Sequence, residues 1–412
     1  MKKMFILVLA LVMAVAALPA FAQDKADWAF YGSVRMWTAW ESVDEDTPPQ
    51  LSNGGFTSPT FGIKTAAIAR ANPNGQGAMD DDEIAWLLQS NSRLGANVKW
   101  GNVGGRFEYG HSSAGNVTLR LLYGTWNFGA GTLLIGQDYG PYDYRVSGLC
   151  GPGGGECSGF DFGAIYTGRD PQIKLIFGGF KVALEAPELQ QSFRFAYPTT
   201  PISNVVTSNA SLMVDRDQTL PRLSASYTFN MGPGQFFIGG IYNTYTQIFN
   251  VAGSEREHDV DGWLLGAGTK LGFGPFYVNA SVQYGENPNN AAGEFFELYP
   301  SVNLYNSATD ASEDSEYMTG QLILGYKLTS SITFEGGVMW QSGKVDDVTV
   351  AGRNWEQDTW VYYLQCVWSP AKNVFFVPEF GIIDYDKLKV SDQPDVEFGK
   401  LTWFGIKWMI NF

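Results

Sequence analysis

The sequence predicts an all-β transmembrane barrel, and three observations carry that expectation. Beyond the first 22 residues no run of 18 apolar residues occurs, so no transmembrane helix is available. Yet 15% of the chain is aromatic and 48 residues are glycine. Segment after segment alternates apolar and polar residues with a period of two, the mark of a strand with one greasy face. In a barrel wall, lipid-facing and lumen-facing residues average out along each strand, which gives near-neutral hydropathy without a helical span. A secreted sandwich or β-helix shares the composition but not the placement of its rings, described below.

Residues 1–22 read as a secretory leader. Lys2 and Lys3 precede an apolar run from Met4 to Leu18, and Ala20-Phe21-Ala22 is a small-x-small cleavage site. The fold is expected in 23–412 as one domain. The net charge of −15 becomes −17 once Lys2 and Lys3 leave with the leader, which makes nucleic acid an improbable partner.

The first strand, WAFYGSVRMWTAW, sets Phe30, Val34, Met36 and Trp40 against Tyr31, Ser33, Arg35 and Trp37. The second, EIAWLLQSNSRLGANVKW, sets Ile84, Trp86, Leu88, Leu94, Ala96, Val98 and Trp100 against Gln89, Asn91, Arg93, Asn97 and Lys99. Its phase is decided by energy, because the opposite one turns Arg93 and Lys99 to lipid at roughly 2–4 kcal/mol each near the midplane. GRFEYG then alternates Arg106 and Glu108 with Phe107 and Tyr109. In LRLLYGTWNF the phase conflicts, since Leu122 and Gly124 share the parity of Arg120. PRLSASYTFN, FYVNASVQYG, ITFEGGVMWQ and the closing LTWFGIKWMINF alternate cleanly, whereas FFIGGIYNTY and VYYLQCVW are apolar on both faces. That implies a subunit contact or a wrong phase for those two.

Seven short connections (GNVG, GAG, RDPQ, MGPG, FGP, TSS and SPAKN) interleave with eight long ones, around 42–82, 111–116, 139–159, 186–220, 250–260, 286–315, 342–356 and 386–396. Together they join sixteen strands, an even number that lets the first and last strands pair. Aromatic rings gather beside the short turns (Trp28, Trp100, Phe276, Trp368, Phe412) and near the long loops (Trp40, Trp86, Trp263, Trp340, Trp360). Amphipathic rings prefer the two bilayer interfaces, and a sandwich core would not need both belts.

Cys150 and Cys157 bracket the Gly-rich stretch CGPGGGEC. In an exported chain this spacing reads as a disulfide, with two free thiols as the alternative. No zinc, haem or EF-hand motif is present, so neither a metal nor a cofactor is expected. Clusters such as Asp44-Glu45-Asp46 and Asp80 to Glu83 read as solvated loop acids, or as places where divalent ions bridge to lipopolysaccharide. His111 with Ser112 and Ser113 faintly resembles the His-x-Ser arrangement of outer-membrane phospholipase; without further context an enzyme is not expected.

Several local stretches, in order, resemble the general porins of Gram-negative outer membranes: YGSVRMW, SRLGANVKWGNVGGRFEYG, GTWNFGAGTLLIGQDYG and the terminal IKWMINF. The resemblance implies a sixteen-stranded, trimeric, water-filled diffusion channel assembled into the outer membrane by the barrel assembly machinery, with Phe412 as its assembly signal. It also implies that the third long loop, about 139–160, folds into the lumen. By analogy Arg35, Arg93, Arg106 and Arg120 form a basic wall facing an acidic loop that carries Asp138, Asp143, Glu156 and Asp161. Such a field tunes ion preference, and the acidic excess suggests a mild preference for cations. A channel selective for a sugar or organic acid is the alternative within barrels.

Overall fold

A computed structural model describes residues 26–44, 81–111, 116–151, 162–187, 213–251, 254–292, 303–306, 310–348, 353–391, 395–397 and 399–412. The leader and most of 42–82 therefore lie outside the described residues. β1 (Asp27–Asp44) is flanked on one side by β2 (Asp81–Leu88) and β3 (Arg93–Trp100), which are two halves of one wall strand. β4 (Val103–His111), β5 (Val117–Asn127), β6 (Thr132–Tyr139), β7 (Arg169–Phe177) and β8 (Phe180–Glu185) follow in order. β9 (Met213–Asp217) and β10 (Arg222–Met231) both pair with β11 (Gly234–Val251) and make one broken strand. β12 (Ser254–Phe273) and β13 (Phe276–Glu286) come next, then a short helix, α1 (Pro288–Ala292), and a separate hairpin of β14 (Leu304–Asn306) with β15 (Ala311–Glu313).

β16 (Glu316–Lys327), β17 (Ile332–Val348) and β18 (Arg353–Ala371) continue the wall. β19 (Val374–Asp384) and β20 (Lys387–Val390) form one broken strand along β18, and β21 (Val396–Glu397) leads to β22 (Lys400–Asn411). Four of the twenty sheet strands thus continue another, and the closed antiparallel wall has sixteen. β22 pairs with β1 from Ser33↔Asn411 to Asp44↔Lys400. At the seam Gly32 and Phe412 exchange both backbone hydrogen bonds, 2.7 and 3.0 Å. A closed wall has no edge strand to leave unpaired in hydrocarbon.

The outer face is the apolar one. Phe30, Ile84, Trp86, Leu94, Ile238, Leu265, Phe334, Leu364 and Ile410 are exposed there, while Asn243, Ser281, Gln283, Gln341 and Gln365 are buried on the inner face. Both aromatic belts stand exposed, with Trp28, Trp100, Phe276 and Phe412 at one end and Trp40, Trp86, Tyr284 and Trp360 at the other. No described helix is long and apolar enough to cross a membrane, which says nothing of the strands.

Three expectations are corrected. RDPQ is not a turn: Arg169 begins β7, Pro171 pairs with Gln137, and the tight turn is at Gly178-Gly179, where Gly178 has φ 60°. An Asp-Pro pair mimics turn chemistry, but here the proline lies in a ladder whose register is set by its neighbours. The supposed long loops at 250–260 and 342–356 are largely paired strand. β11, β12, β17 and β18 run 18, 20, 17 and 19 residues, against the roughly 9–11 a tilted strand needs to span a bilayer. At their outer ends one face is charged and exposed, with Glu255, Glu257, Asp259 and Asp261, while the other is covered and buries polar as well as apolar residues, among them Tyr245, Gln247, Phe249 and Val260. No hydrophobic period shows there, although each acid is laddered to β11. The stretch 386–396 likewise holds β20 and the start of β21.

The two segments that are apolar on both faces need neither a subunit contact nor a changed phase. Phe237 and Ile241 on β11, and Val361 and Tyr363 on β18, face inward and are buried in one cluster with Tyr142, Tyr144, Val146 and Leu149. They are covered from inside by the segment after β6. α1 also lies against the inner wall: Asn243 Nδ2 donates to Asn290 O at 2.8 Å and Asn290 Nδ2 to Tyr245 OH at 2.9 Å.

Candidate functional site

The inner face of β3, β4 and β5 gathers its charges on one carboxylate. Glu108 is fully buried and lies 2.8 Å from Arg120 Nε, 2.9 Å from Arg106 Nη2 and 3.5 Å from Arg93 Nη1. Tyr31 OH donates to it at 2.8 Å and accepts from Arg106 Nε at 2.8 Å. Three guanidiniums and one carboxylate leave this patch of wall with a local charge of +2. Arg35 stands one strand away on β1, where its Nε donates to Ser33 Oγ at 2.9 Å.

Arg120 reaches this cluster through a β-bulge. Glu108 pairs with Leu121 and Tyr109 with Leu119, so Arg120 is an extra residue on β5. Leu119 and Leu122 are exposed on the outer face while Arg120 and Leu121 are both buried. The bulge removes the phase conflict that strict alternation leaves at this strand. Gly110 makes the space: a Cβ there would collide with Arg120 Cδ and lie 3.0 Å from its Cγ.

Beyond β5 further cations line the wall, Lys174, Arg145 and Arg222 each paired with an acid. Tyr139 accepts from Arg120 Nη2 at 3.4 Å and Arg169 Nη1 at 3.5 Å. The Arg145 guanidinium lies 4.7 Å from the Tyr139 ring and 5.7 Å from the Tyr166 ring, within cation–π range. Lys174 Nζ meets Asp138 at 2.6 Å, and Arg222 is enclosed by Glu185 and Asp170.

The segment following β6 is held against the opposite inner wall. Glu335 Oε1 on β17 accepts from Gly148 N at 2.7 Å, and Glu379 on β19 accepts from Cys150 N at 2.6 Å and Gly151 N at 2.8 Å. Tyr363, Gln365 and Tyr277 also donate to Glu335, and Trp403 Nε1 to Glu379. Tyr142 OH donates to Gln283 at 2.9 Å, Asn279 Nδ2 to Val146 O at 2.9 Å, and Gln321 Nε2 to Phe162 O at 2.8 Å. Tyr144 stacks on Phe237 with centroids 4.8 Å apart, and burial pushes its phenol up to about 12. Burial also pushes the Asp143 carboxyl above its usual range, opposed by the Arg145 guanidinium 2.8 Å away.

The structure therefore brings Arg93, Arg106 and Arg120 together and sets Arg35 beside them. Of the acidic loop residues, Asp138 and Asp143 are each paired with a neighbouring cation, Lys174 and Arg145. Glu156, Asp161 and Cys157 lie outside the described residues, as do Ser112 and Ser113. Sequence reasoning missed Glu108, Glu335 and Glu379 as organising groups. For Glu335 and Glu379 the available signal was a lone inward carboxylate in an otherwise uncharged stretch. No group of three His, Cys, Asp or Glu side chains is placed for a metal ion among the described residues.

No protein-family profile matches the chain, and no curated protein matches it in sequence. Solved structures do match in fold. The outer membrane channel DcaP of Acinetobacter baumannii superposes with a TM-score of 0.60 at 17% identity over 96% of this chain and all of that one. The trimer form of OmpT, an outer membrane protein of Vibrio cholerae, gives 0.53 at 13% identity, covering 94% of this chain and 100% of that one. The anion-selective porin from Comamonas acidovorans gives 0.52 at 12%, again over 94% and 100%. The fold is that of Gram-negative outer-membrane porins.

Proposed function

We propose that the protein is a passive diffusion channel for ions and small hydrophilic solutes whose narrow section favours anions. The observation that carries this reading is the convergence of Arg93, Arg106 and Arg120 on the single carboxylate of Glu108. Net charge alone favours a mild cation preference. However, a Debye length of about 8–10 Å at physiological salt screens acids on the projecting strands, whereas charges lining a confined, low-dielectric passage act at close range. The wall at the arginines therefore outweighs the acids of Glu255 to Asp261. In this proposal Arg35, Arg93, Arg106 and Arg120 form the basic wall, and the segment clamped by Glu335 and Glu379 narrows the lumen. Reversal potentials in unequal KCl test the proposal: a potential on the anion side is expected, and one on the cation side rejects the arginine-wall reading.

A substrate-selective channel is the second reading. It is favoured by Tyr139, half-buried beside the Arg145 guanidinium that Asp143 pairs, which sets an aromatic ring next to a bound ion pair. Small conductance steps blocked by one solute distinguish it from general diffusion. Trimeric assembly, contact with lipopolysaccharide and recognition of Phe412 by the assembly machinery belong to the same proposal. Deleting Phe412 should impair insertion and leave the conductance of inserted channels nearly unchanged. A Cys150–Cys157 disulfide would hold the clamped segment more firmly, so Cys150→Ser should give larger, noisier currents.

A further inference from the structure

The bulge that turns Arg120 into the lumen has a second side. An extra residue in β5 interrupts the ladder, and the β5–β6 pairing ends at Leu122↔Gln137. The carbonyls of Leu119 and Arg120 are left to find donors at the outer face, between β5 and β6. Bare carbonyls are poorly tolerated in hydrocarbon, where no water replaces a missing partner. Gln137 supplies the donor. It shares the outward parity of Ile135, pairs with Pro171, and its Nε2 donates to Leu119 O at 3.0 Å and to Arg120 O at 3.2 Å.

A polar amide on the outer face of a barrel is otherwise unfavourable. Its position at this one irregularity, bonded to these two carbonyls, gives it a specific task. Two further features agree with that task. Gly136, the neighbour of Gln137, has φ 130°. That conformation favours glycine, and a Cβ there would collide with Leu122 O on β5. On the inner side, Gly110 leaves the volume that the Arg120 side chain occupies.

We infer that Gln137, on the outer face, is the positioning residue that fixes the bulge and so aims Arg120 into the pore. The inference rests on the channel reading above for its functional consequence, but the placement of residue 120 can be tested separately. Without the amide, β5 relieves its bare carbonyls by sliding back to regular pairing. Strict alternation from Leu121 then turns position 120 to the outer face.

The test uses the full-length protein in planar bilayers. Arg120→Cys is treated with a charged, membrane-impermeant thiosulfonate, and the fall in conductance is followed; the parent protein controls for Cys150, Cys157 and Cys366. Addition of Gln137→Met is expected to slow that modification at least tenfold. Gln137→Leu, which also has no donor to offer a carbonyl, is expected to do the same and covers the case in which the methionine variant fails to assemble. In the protein with Arg120 intact, Gln137→Met is expected to shift the reversal potential in the direction of Arg120→Gln, and to add nothing in the Arg120→Gln background. Equal modification rates with Gln137 and with its replacements overturn the inference. If the rates differ but Arg120→Gln leaves the reversal potential unchanged, the positioning role stands and the selectivity role of Arg120 falls.

Discussion

Arg120 Nε lies 2.8 Å from Glu108 Oε1 although strict alternation along β5 cannot turn both Arg120 inward and Leu122 outward. One inserted residue reconciles the two demands. The carboxylate fixes the arginine, and the same carboxylate gathers Arg93 and Arg106. The three arginines thus form a built cluster with its own counter-charge.

Glu108→Gln removes that counter-charge and takes the local charge from +2 to +3. The reversal potential should move further to the anion side. Removing one partner of a buried ion pair destabilises strongly, here by about 3 kcal/mol, so the heat-induced unfolding seen as a gel shift should begin at lower temperature. An unchanged reversal potential in folded Glu108→Gln channels would remove the cluster from the permeation path.

Gly110→Val places side-chain atoms where Arg120 Cδ and Cγ now lie. The arginine must withdraw, and overpacking of this kind costs about 1–3 kcal/mol. The expected result is a reversal potential close to that of Arg120→Gln, measured in the same salt gradient. Gly110→Val channels that keep the parent potential would show that Arg120 does not act from this position.

Glu335→Gln with Glu379→Gln weakens the acceptors that hold Gly148, Cys150 and Gly151. Hydrogen bonds to a charged group contribute about 1.5–3 kcal/mol each. Single-channel steps should become larger and noisier as the segment leaves the wall. Steps of parent size and noise would mean that the tyrosine and glutamine contacts suffice to hold it.

Asp143 is expected to make the reversal potential depend on pH. Burial raises its carboxyl above the ordinary range despite Arg145. An acid raised in the folded state takes up its proton earlier as pH falls, so it loses charge before exposed aspartates near pH 3.9. Folding is correspondingly favoured by protonation: the burial penalty on the anion is present at high pH and relieved as pH drops through the folded value. Anion preference should therefore rise with mild acidification, and Asp143→Asn should show that raised preference already at neutral pH. A parallel pH profile in both proteins would exclude Asp143 as the group responsible.

The wall strands were legible because lipid imposes a period of two that water-filled loops do not. ITFEGGVMWQ shows it: Phe334 and Val338 are exposed while Glu335 and Met339 are buried. The same logic fails where lipid ends. Glu255 to Asp261 is laddered strand with no apolar period, so it reads as loop. The arginines were legible as inward charges, but their meeting point was not. Neither the bulge at Arg120 nor the clamp at Glu335 and Glu379 follows from local pattern. The clamp joins residues 187 and 229 positions apart, and the bulge depends on Gln137, which lies on the opposite face from the side chain it serves.

The most direct test is the reversal potential of reconstituted channels across a tenfold KCl gradient, measured for the parent protein and for Arg106→Gln. Ohmic channels with a potential on the anion side, moved toward zero by the substitution, are expected. A potential on the cation side that Arg106→Gln leaves unmoved would contradict the arginine-wall reading.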